Sequence, residues 1–251
     1  MTRISFYYDV VSPWSLLAYH GEPSTMAPIE LASAETTLPR RPVLKRYREP
    51  WGMKLELKPT FLGGVMHASG NQPPLNVKNK GKWMNESDLP LTAEWMHVSG
   101  SPYKFPSTFP VNTMHCMRFL RAIEHKAPEK LEQATDLFLQ LIWNPSEGRS
   151  ADDATKPESL AQAVRSSSLF SEREVDTLLA YANSAENKDR LKQDATTLVE
   201  EGGAFGFPWM VVEREDGLKR SFFGSDRFEV MAFWLGKEWS GPLAQSGRAR
   251  L

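Results

Sequence analysis

The chain has 251 residues, 41% of them hydrophobic and 24% charged, with a formal net charge of −1. That length is enough to bury one large core or two smaller ones, and so even a charge balance argues against a nucleic-acid or anionic-membrane partner. The single cysteine, Cys116, excludes both a disulfide scaffold and a paired-cysteine redox motif, which fits a reducing compartment.

The first predicted element is a strand, Ile4 to Val11, rich in aromatic and β-branched residues. Ser12-Pro13 follows, a capping residue and then a proline at the first helical position, where its missing N–H costs nothing. Trp14 to Tyr19 continues as helix. Gly21 to Pro42 contains Pro23, Pro28, Pro39 and Pro42 and therefore cannot form one continuous helix. Val43 to Arg48 reads as helix, with the basic residues between Arg40 and Arg48 expected on a solvated face. Met53 to Lys58 alternates with period two and is the second predicted strand.

From about Thr60 to Gly203 the pattern is helical. Gly63 to Pro110 reads as loops with short helices. Thr113 to Lys126 places Met114, Met117, Leu120 and Ile123 on a helical repeat, and Pro128 to Trp143 does the same through Leu131, Ala134, Leu137, Phe138 and Leu141. Two or three more helices are expected between Pro157 and Glu201. Strand character returns at Phe207 to Glu213, followed by a hairpin turn at Glu215-Asp-Gly217 and a partner strand over Leu218 to Phe223. Gly224-Ser-Asp226 is expected to cap a last helix from Arg227 to about Gly236.

Two sheet halves flanking a helical block must meet to bury their shared face. The expected fold is α/β, a thioredoxin-like fold interrupted by an inserted all-helical domain. Residues 1–59 and 204–251 form the thioredoxin-like part, with an atypical proline-rich insertion at 21–42, and residues 60–203 form the helical domain. No apolar run reaches the ~18 residues of a membrane span, and no leader pattern is expected at the N-terminus.

Several motifs carry a family resemblance. Phe6-Tyr-Tyr-Asp-Val-Val-Ser-Pro-Trp14 resembles the first strand and helix start of kappa-class glutathione transferases. Ala204-Phe-Gly-Phe-Pro208 is similar to that family's cis-proline loop, and Phe223-Gly-Ser-Asp-Arg227 to its glutathione-holding turn. Ser69-Gly-Asn-Gln-Pro-Pro74, Asn79-Lys-Gly81 and Leu235 to Pro242 agree as well. The resemblance covers nearly the whole chain except Gly21–Pro42, which interrupts the family's first helix and is expected to loop out, the alternative being that it unseats that helix and weakens the site. A sister group, 2-hydroxychromene-2-carboxylate isomerase, shares the fold and cofactor.

The resemblance implies glutathione as cofactor, a hydrophobic small-molecule co-substrate and a homodimer. A free thiol titrates near ~8.5, so making the thiolate dominant at neutral pH needs roughly two units, or about 2.7 kcal/mol. Ser12 is the candidate catalytic residue. Its hydroxyl can donate to the sulfur at a helix mouth whose N–H groups favour negative charge. The same Ser-Pro pair also serves as a plain helix cap. Phe207-Pro208 is expected to be cis and to present main-chain groups to the cysteinyl part of the ligand. Ser225 and Asp226 are expected to hold the γ-glutamyl carboxylate and ammonium, and Asn71 and Lys80 the glycine end. Trp14, Trp83 and Met84 are candidates for the electrophile pocket or for ordinary packing. Cys116 is expected to be a buried structural thiol. The five histidines show no metal-ligand spacing.

The expected activity is conjugation of glutathione to hydrophobic electrophiles or peroxide reduction. The alternatives are a glutathione-dependent isomerase of chromene-type acids and a non-catalytic binding protein on a thioredoxin scaffold. Ala249-Arg250-Leu251 follows the small–basic–leucine logic of a peroxisomal address, with mitochondrial or cytosolic placement as alternatives.

Overall fold

Strand β1 (Thr2–Tyr8) pairs in parallel with β2 (Met53–Pro59), from Thr2 opposite Met53 to Tyr8 opposite Pro59. Its other edge pairs antiparallel with β3 (Trp209–Glu213), which in turn pairs antiparallel with β4 (Lys219–Phe223). The order β2-β1-β3-β4 puts the first strand inside the sheet, as expected of a thioredoxin fold whose two halves are separated in sequence. The computed structural model describes residues 1–19, 43–95, 106–145 and 150–241. The proline-rich Gly21–Pro42 and the tail Ala249-Arg250-Leu251 lie outside the described residues.

Side-chain alternation assigns the two faces of β1. Ile4, Phe6 and Tyr8 are buried at 0%, 0% and 1% exposure. Tyr7 faces the other way and packs with Val65, Ala195, Leu198, Phe207 and Trp209. Gly217, at φ +83°, closes the β3–β4 hairpin where a side chain would be strained.

After β1 come α1 (Pro13–Tyr19) and α2 (Val43–Arg46). After β2 the chain is helical: α3 (Leu62–Ser69), α4 (Lys80–Trp83), a π-helical stretch at Met84–Asp88, then α5 (Leu89–Trp95). The longer helices follow as α6 (Met114–Lys126), α7 (Leu131–Trp143), α8 (Pro157–Ser166), α9 (Glu172–Asn183) and α10 (Ala185–Glu200). Helix α11 (Phe228–Leu235) follows the hairpin. One buried cluster contains Ile4 and Phe6 of the sheet together with Phe119 of α6 and Phe138 of α7, so sheet and helical block share a core. Among the described residues, no helix is long and apolar enough to cross a membrane.

Gly63 and Gly64 sit inside α3, one of the short helices expected between Gly63 and Pro110. A Cβ on Gly64 would stand 3.1 Å from the Cβ of Ala195, so glycine serves the close approach of α3 to α10. The basic residues of Val43–Arg48 do not form a freely solvated face. Lys45, with its side chain 16% exposed, reaches Glu132 at 3.0 Å and Asp136 at 3.1 Å on α7, and Arg48 reaches Glu132 at 2.7 Å. The last helix begins later than its capping signal implied. Arg227 precedes it with no side-chain cap, and Asp226 spends its carboxylate on the Arg227 guanidinium, 3.1 Å away.

Candidate functional site

The turn Asp9–Ser12 leaves the sheet at the end of β1. Its geometry is fixed by its own polar groups: the Ser12 N–H donates to the Asp9 carbonyl at 3.0 Å, and the Val11 N–H to Asp9 Oδ1 at 3.1 Å, an Asx turn. Trp143 of α7 donates its indole N–H to the Val10 carbonyl at 2.7 Å. Ser12 then acts as the cap of α1, its Oγ accepting the Ser15 N–H at 3.1 Å, as the sequence suggested. The same hydroxyl donates to the carbonyl of Phe207 at 3.3 Å. Ser12 is buried, at 3% exposure.

This turn forms one wall of a cavity of about 600 Å³. The opposite walls come from the starts of α3 (Phe61, Leu62) and α6 (Thr113, Met114), from the segment 71–84, and from Gly206-Phe207 with Phe223. The positive dipole ends of helices favour anions, while most of the remaining lining is apolar. A thiol brought to Ser12 would therefore meet a hydroxyl and little competing water.

Of the expected site residues, Ser12, Trp14, Asn71, Lys80, Trp83, Met84 and Phe207 all line this cavity. The Phe207–Pro208 peptide bond is cis, as the resemblance implied. Pro208 sits behind the wall, its carbonyl accepting the Gly224 N–H at 3.1 Å. Asn71 is already engaged in building the site: its Nδ2 donates to the Phe205 carbonyl at 2.6 Å and its Oδ1 accepts the Gln72 N–H at 2.8 Å. Ser225 and Asp226 are not brought to the cavity wall. Ser225 is buried and Asp226 is paired with Arg227. Trp83 and Met84, neighbours in sequence, part company: Trp83 is 53% exposed and Met84 3%.

Cys116 is fully buried, and its thiol donates to the Ala154 carbonyl at 3.2 Å. Burial pushes its pKa well up, against thiolate formation. The structure thus places the only cysteine of the chain in a structural role.

Sequence reasoning missed Asp9. It stands in the quoted first motif as one acid among aromatic and β-branched residues, which is the signal that could have found it. Asp9 is completely buried, lines the cavity, and accepts from Leu62 N–H at 2.8 Å and from the Thr113 hydroxyl at 2.7 Å as well as from Val11. Burial pushes its carboxyl up to about 6, the three donors holding it back from a larger rise. Met66, Phe109 and Met114, also unforeseen, add to the apolar wall.

The family described as DSBA-like thioredoxin domain matches residues 40–235. The human protein named glutathione S-transferase kappa 1 is 31% identical over 253 residues, spanning 99% of this chain and 97% of that one. Its namesake from Rattus norvegicus is 31% identical over 250 residues, with the same coverage. Among solved structures, a 2-hydroxychromene-2-carboxylate isomerase superposes with a TM-score of 0.61 over 93% of this chain and 94% of that one, at 19% identity. At that identity the likeness is one of fold.

Proposed function

Because the chain belongs to the DSBA-like thioredoxin family and, within it, to the kappa-class glutathione S-transferases, we propose that the cavity beside Ser12 is where glutathione is bound and its sulfur activated. The chain is a glutathione transferase, and glutathione is its substrate. Reduced glutathione supplies the sulfur nucleophile. Everything else falls to the protein.

The single observation that carries the site assignment is the position of the Ser12 hydroxyl. It lies on the wall of a largely apolar cavity, and its proton is given to a main-chain carbonyl, that of Phe207. A carbonyl can release that proton at small cost, since a neutral hydrogen bond contributes about 1 kcal/mol net. A hydrogen bond to an ionised sulfur is roughly twice as strong. Ser12 can therefore turn its proton from Phe207 to a sulfur and lower the thiol pKa. The Phe207 carbonyl, so released, is available to an incoming amide N–H in the manner of an added strand. Lys80 and Asn71 border the same cavity and suit a terminal carboxylate and a peptide group. Asp226, now paired with Arg227, would have to exchange that exposed partner to take a ligand ammonium, with Ser225 beside it for the carboxylate. Trp14 and Trp83 are assigned to the hydrophobic co-substrate, which the apolar lining supports, while Met84, at the same wall but buried in the main core, serves packing.

The test is an ultraviolet difference titration of reduced glutathione bound to the full chain, with calorimetry in parallel. Saturable binding with thiolate absorbance already present at neutral pH, and turnover of chlorodinitrobenzene or an organic hydroperoxide, is the expected result. Binding with an unshifted thiol titration would instead indicate a non-catalytic module, and turnover of a chromene acid alone an isomerase. A homodimer and a peroxisomal destination belong to the same proposal. The first rests on the family resemblance and the second on Ala249-Arg250-Leu251. Sedimentation and imaging of a tagged chain with and without that tripeptide test them, mitochondrial or cytosolic signal counting against the address.

A further inference from the structure

We propose that Asp9 is a positioning residue of the thiol site, its carboxylate holding the turn that carries Ser12 against the first residues of α3 and α6. The proposal rests on the glutathione reading above and deepens it.

Three donors from three parts of the chain converge on this one side chain. Val11 N–H comes from the Ser12 turn, Leu62 N–H from the first residue of α3, and the Thr113 hydroxyl from the residue before α6. Each segment is a wall of the cavity. Two of the donors are unusual in having been left for Asp9. Phe61 offers α3 no side-chain cap, so Asp9 satisfies an N–H at that helix start from a distant point in the chain. Thr113 is a residue type that normally caps its own helix, yet it makes no such bond and gives its hydroxyl to Asp9.

Only a carboxylate meets all three. It has two oxygens and about four acceptor sites and no donor, whereas an asparagine amide would set its NH2 against one of the donors. The choice is costly, because the charge is fully buried. Among the described residues no cation pairs with Asp9; the titratable groups facing it are Tyr8, next in the chain, and the Cys116 thiol on α6, and both are neutral at physiological pH. An uncompensated charge at a cavity wall is what strained functional sites retain and ordinary cores discard.

A field effect and a positioning effect have opposite signs here. A carboxylate opposes a thiolate in the same cavity by like charge, so removing the charge alone would lower the thiol pKa of bound glutathione. Loss of positioning moves Ser12 off the sulfur and raises it.

The experiment uses the full chain with reduced glutathione and compares wild type, Asp9→Asn and Thr113→Val. The first readout is the thiol titration of bound glutathione, and the second is amide exchange at Val11 and Leu62 without glutathione. Asp9→Asn is expected to raise the thiol midpoint by about one unit, a tenfold loss of thiolate at fixed pH below the midpoint. Thr113→Val should shift it the same way by less, and exchange at Leu62 should quicken in both while the β1–β2 ladder stays protected. An unchanged or lowered midpoint in Asp9→Asn, with glutathione still bound, overturns the proposal. If Asp9→Asn does not fold, an unshifted midpoint in Thr113→Val overturns it equally. Failure of the glutathione reading is distinguishable, since wild type itself would then neither bind nor ionise glutathione. Quickened exchange in that case would leave Asp9 a structural tie and overturn its role at the thiol.

Discussion

The hydroxyl of Ser12 donates to the carbonyl of Phe207 across 3.3 Å, joining residues 195 positions apart. One is at the start of a helix and the other precedes a cis-proline, so the contact joins both halves of the sheet at the cavity. Replacing Ser12 by alanine removes the only side-chain hydroxyl group proposed to reach the sulfur. A hydrogen bond to a charged group is worth about 1.5–3 kcal/mol, so kcat/KM should fall roughly ten- to a hundredfold. The thiol midpoint should rise by about one to two units. Steady-state rates and the ultraviolet titration check this together; a rate loss with an unmoved midpoint would remove Ser12 from thiol activation.

Trp83 and Met84 should respond in opposite ways. Trp83 is 53% exposed on the cavity rim, so Trp83→Ala is expected to raise KM for an aromatic electrophile several-fold while leaving the melting temperature nearly unchanged. Met84 is 3% exposed and belongs to the main core, so Met84→Ala should cost about 2–5 kcal/mol of stability. Thermal melts and substrate titrations on both variants separate the roles, and identical profiles would contradict the division.

Asp9 sets a pH dependence of stability whose sign follows from its raised carboxyl. A group bound more tightly to its proton in the folded state gives stability that is full below its unfolded value of 3.8 and is lost as pH rises through about 6. A shift of roughly two units corresponds to about 3 kcal/mol, undiminished by solvent because the group is fully buried. In Asp9→Asn the relief of that charge is offset by about 1–3 kcal/mol for a donor left facing the amide NH2. A single melt at neutral pH is therefore uninformative, but the trend is not. The melting temperature of wild type relative to Asp9→Asn should climb as pH falls through 6. A flat difference would show that Asp9 does not titrate there.

Deleting Gly21–Pro42 should preserve glutathione binding. Among the described residues, the cavity walls come from the Asp9–Trp14 turn, the starts of α3 and α6, the 71–84 segment and Gly206-Phe207 with Phe223, which together carry every proposed glutathione contact at the wall. Tyr19 and Val43, on either side of it, are buried at 0% and 1%. Joined through His20, Leu17 and Ala18 would be followed four positions later by Val43 and Leu44, continuing one apolar helical stripe. Calorimetry and melting of the shortened chain decide the matter, and loss of binding or of stability would mean the segment supports the site.

Much of this architecture was legible beforehand because it depends on local pattern. The alternation in Met53 to Lys58, the cap at Ser12, the hairpin at Gly217 and the buried stripe through Met117, Leu120 and Ile123 each follow from short-range rules. What was not legible depends on partners distant in sequence. The need for glycine at Gly64 is invisible until Ala195 is set beside it. Lys45 and Arg48 read as solvated until α7 brings Glu132 and Asp136. Asp9 read as part of a strand because nothing nearby in sequence reveals that Leu62 and Thr113 need an acceptor. Ser225 and Asp226 were placed on a helix start by their residue types, yet Asp226 pairs with Arg227 and the helix opens at Phe228.

The sheet order β2-β1-β3-β4 has a consequence for synthesis. The first strand can take β2 as soon as residues 53–59 have emerged, but its other edge stays open until β3 arrives near the end of the chain. At roughly 5–20 residues per second, the stretch separating Ser12 from Phe207 occupies the ribosome for on the order of 10–40 s. Throughout that interval the nascent chain carries an unpaired edge rich in aromatic residues, the kind of edge that seeks other chains. The proposed thiol site is thus complete only in the finished molecule, and the vulnerable period for aggregation comes before it, when holdase chaperones would matter most.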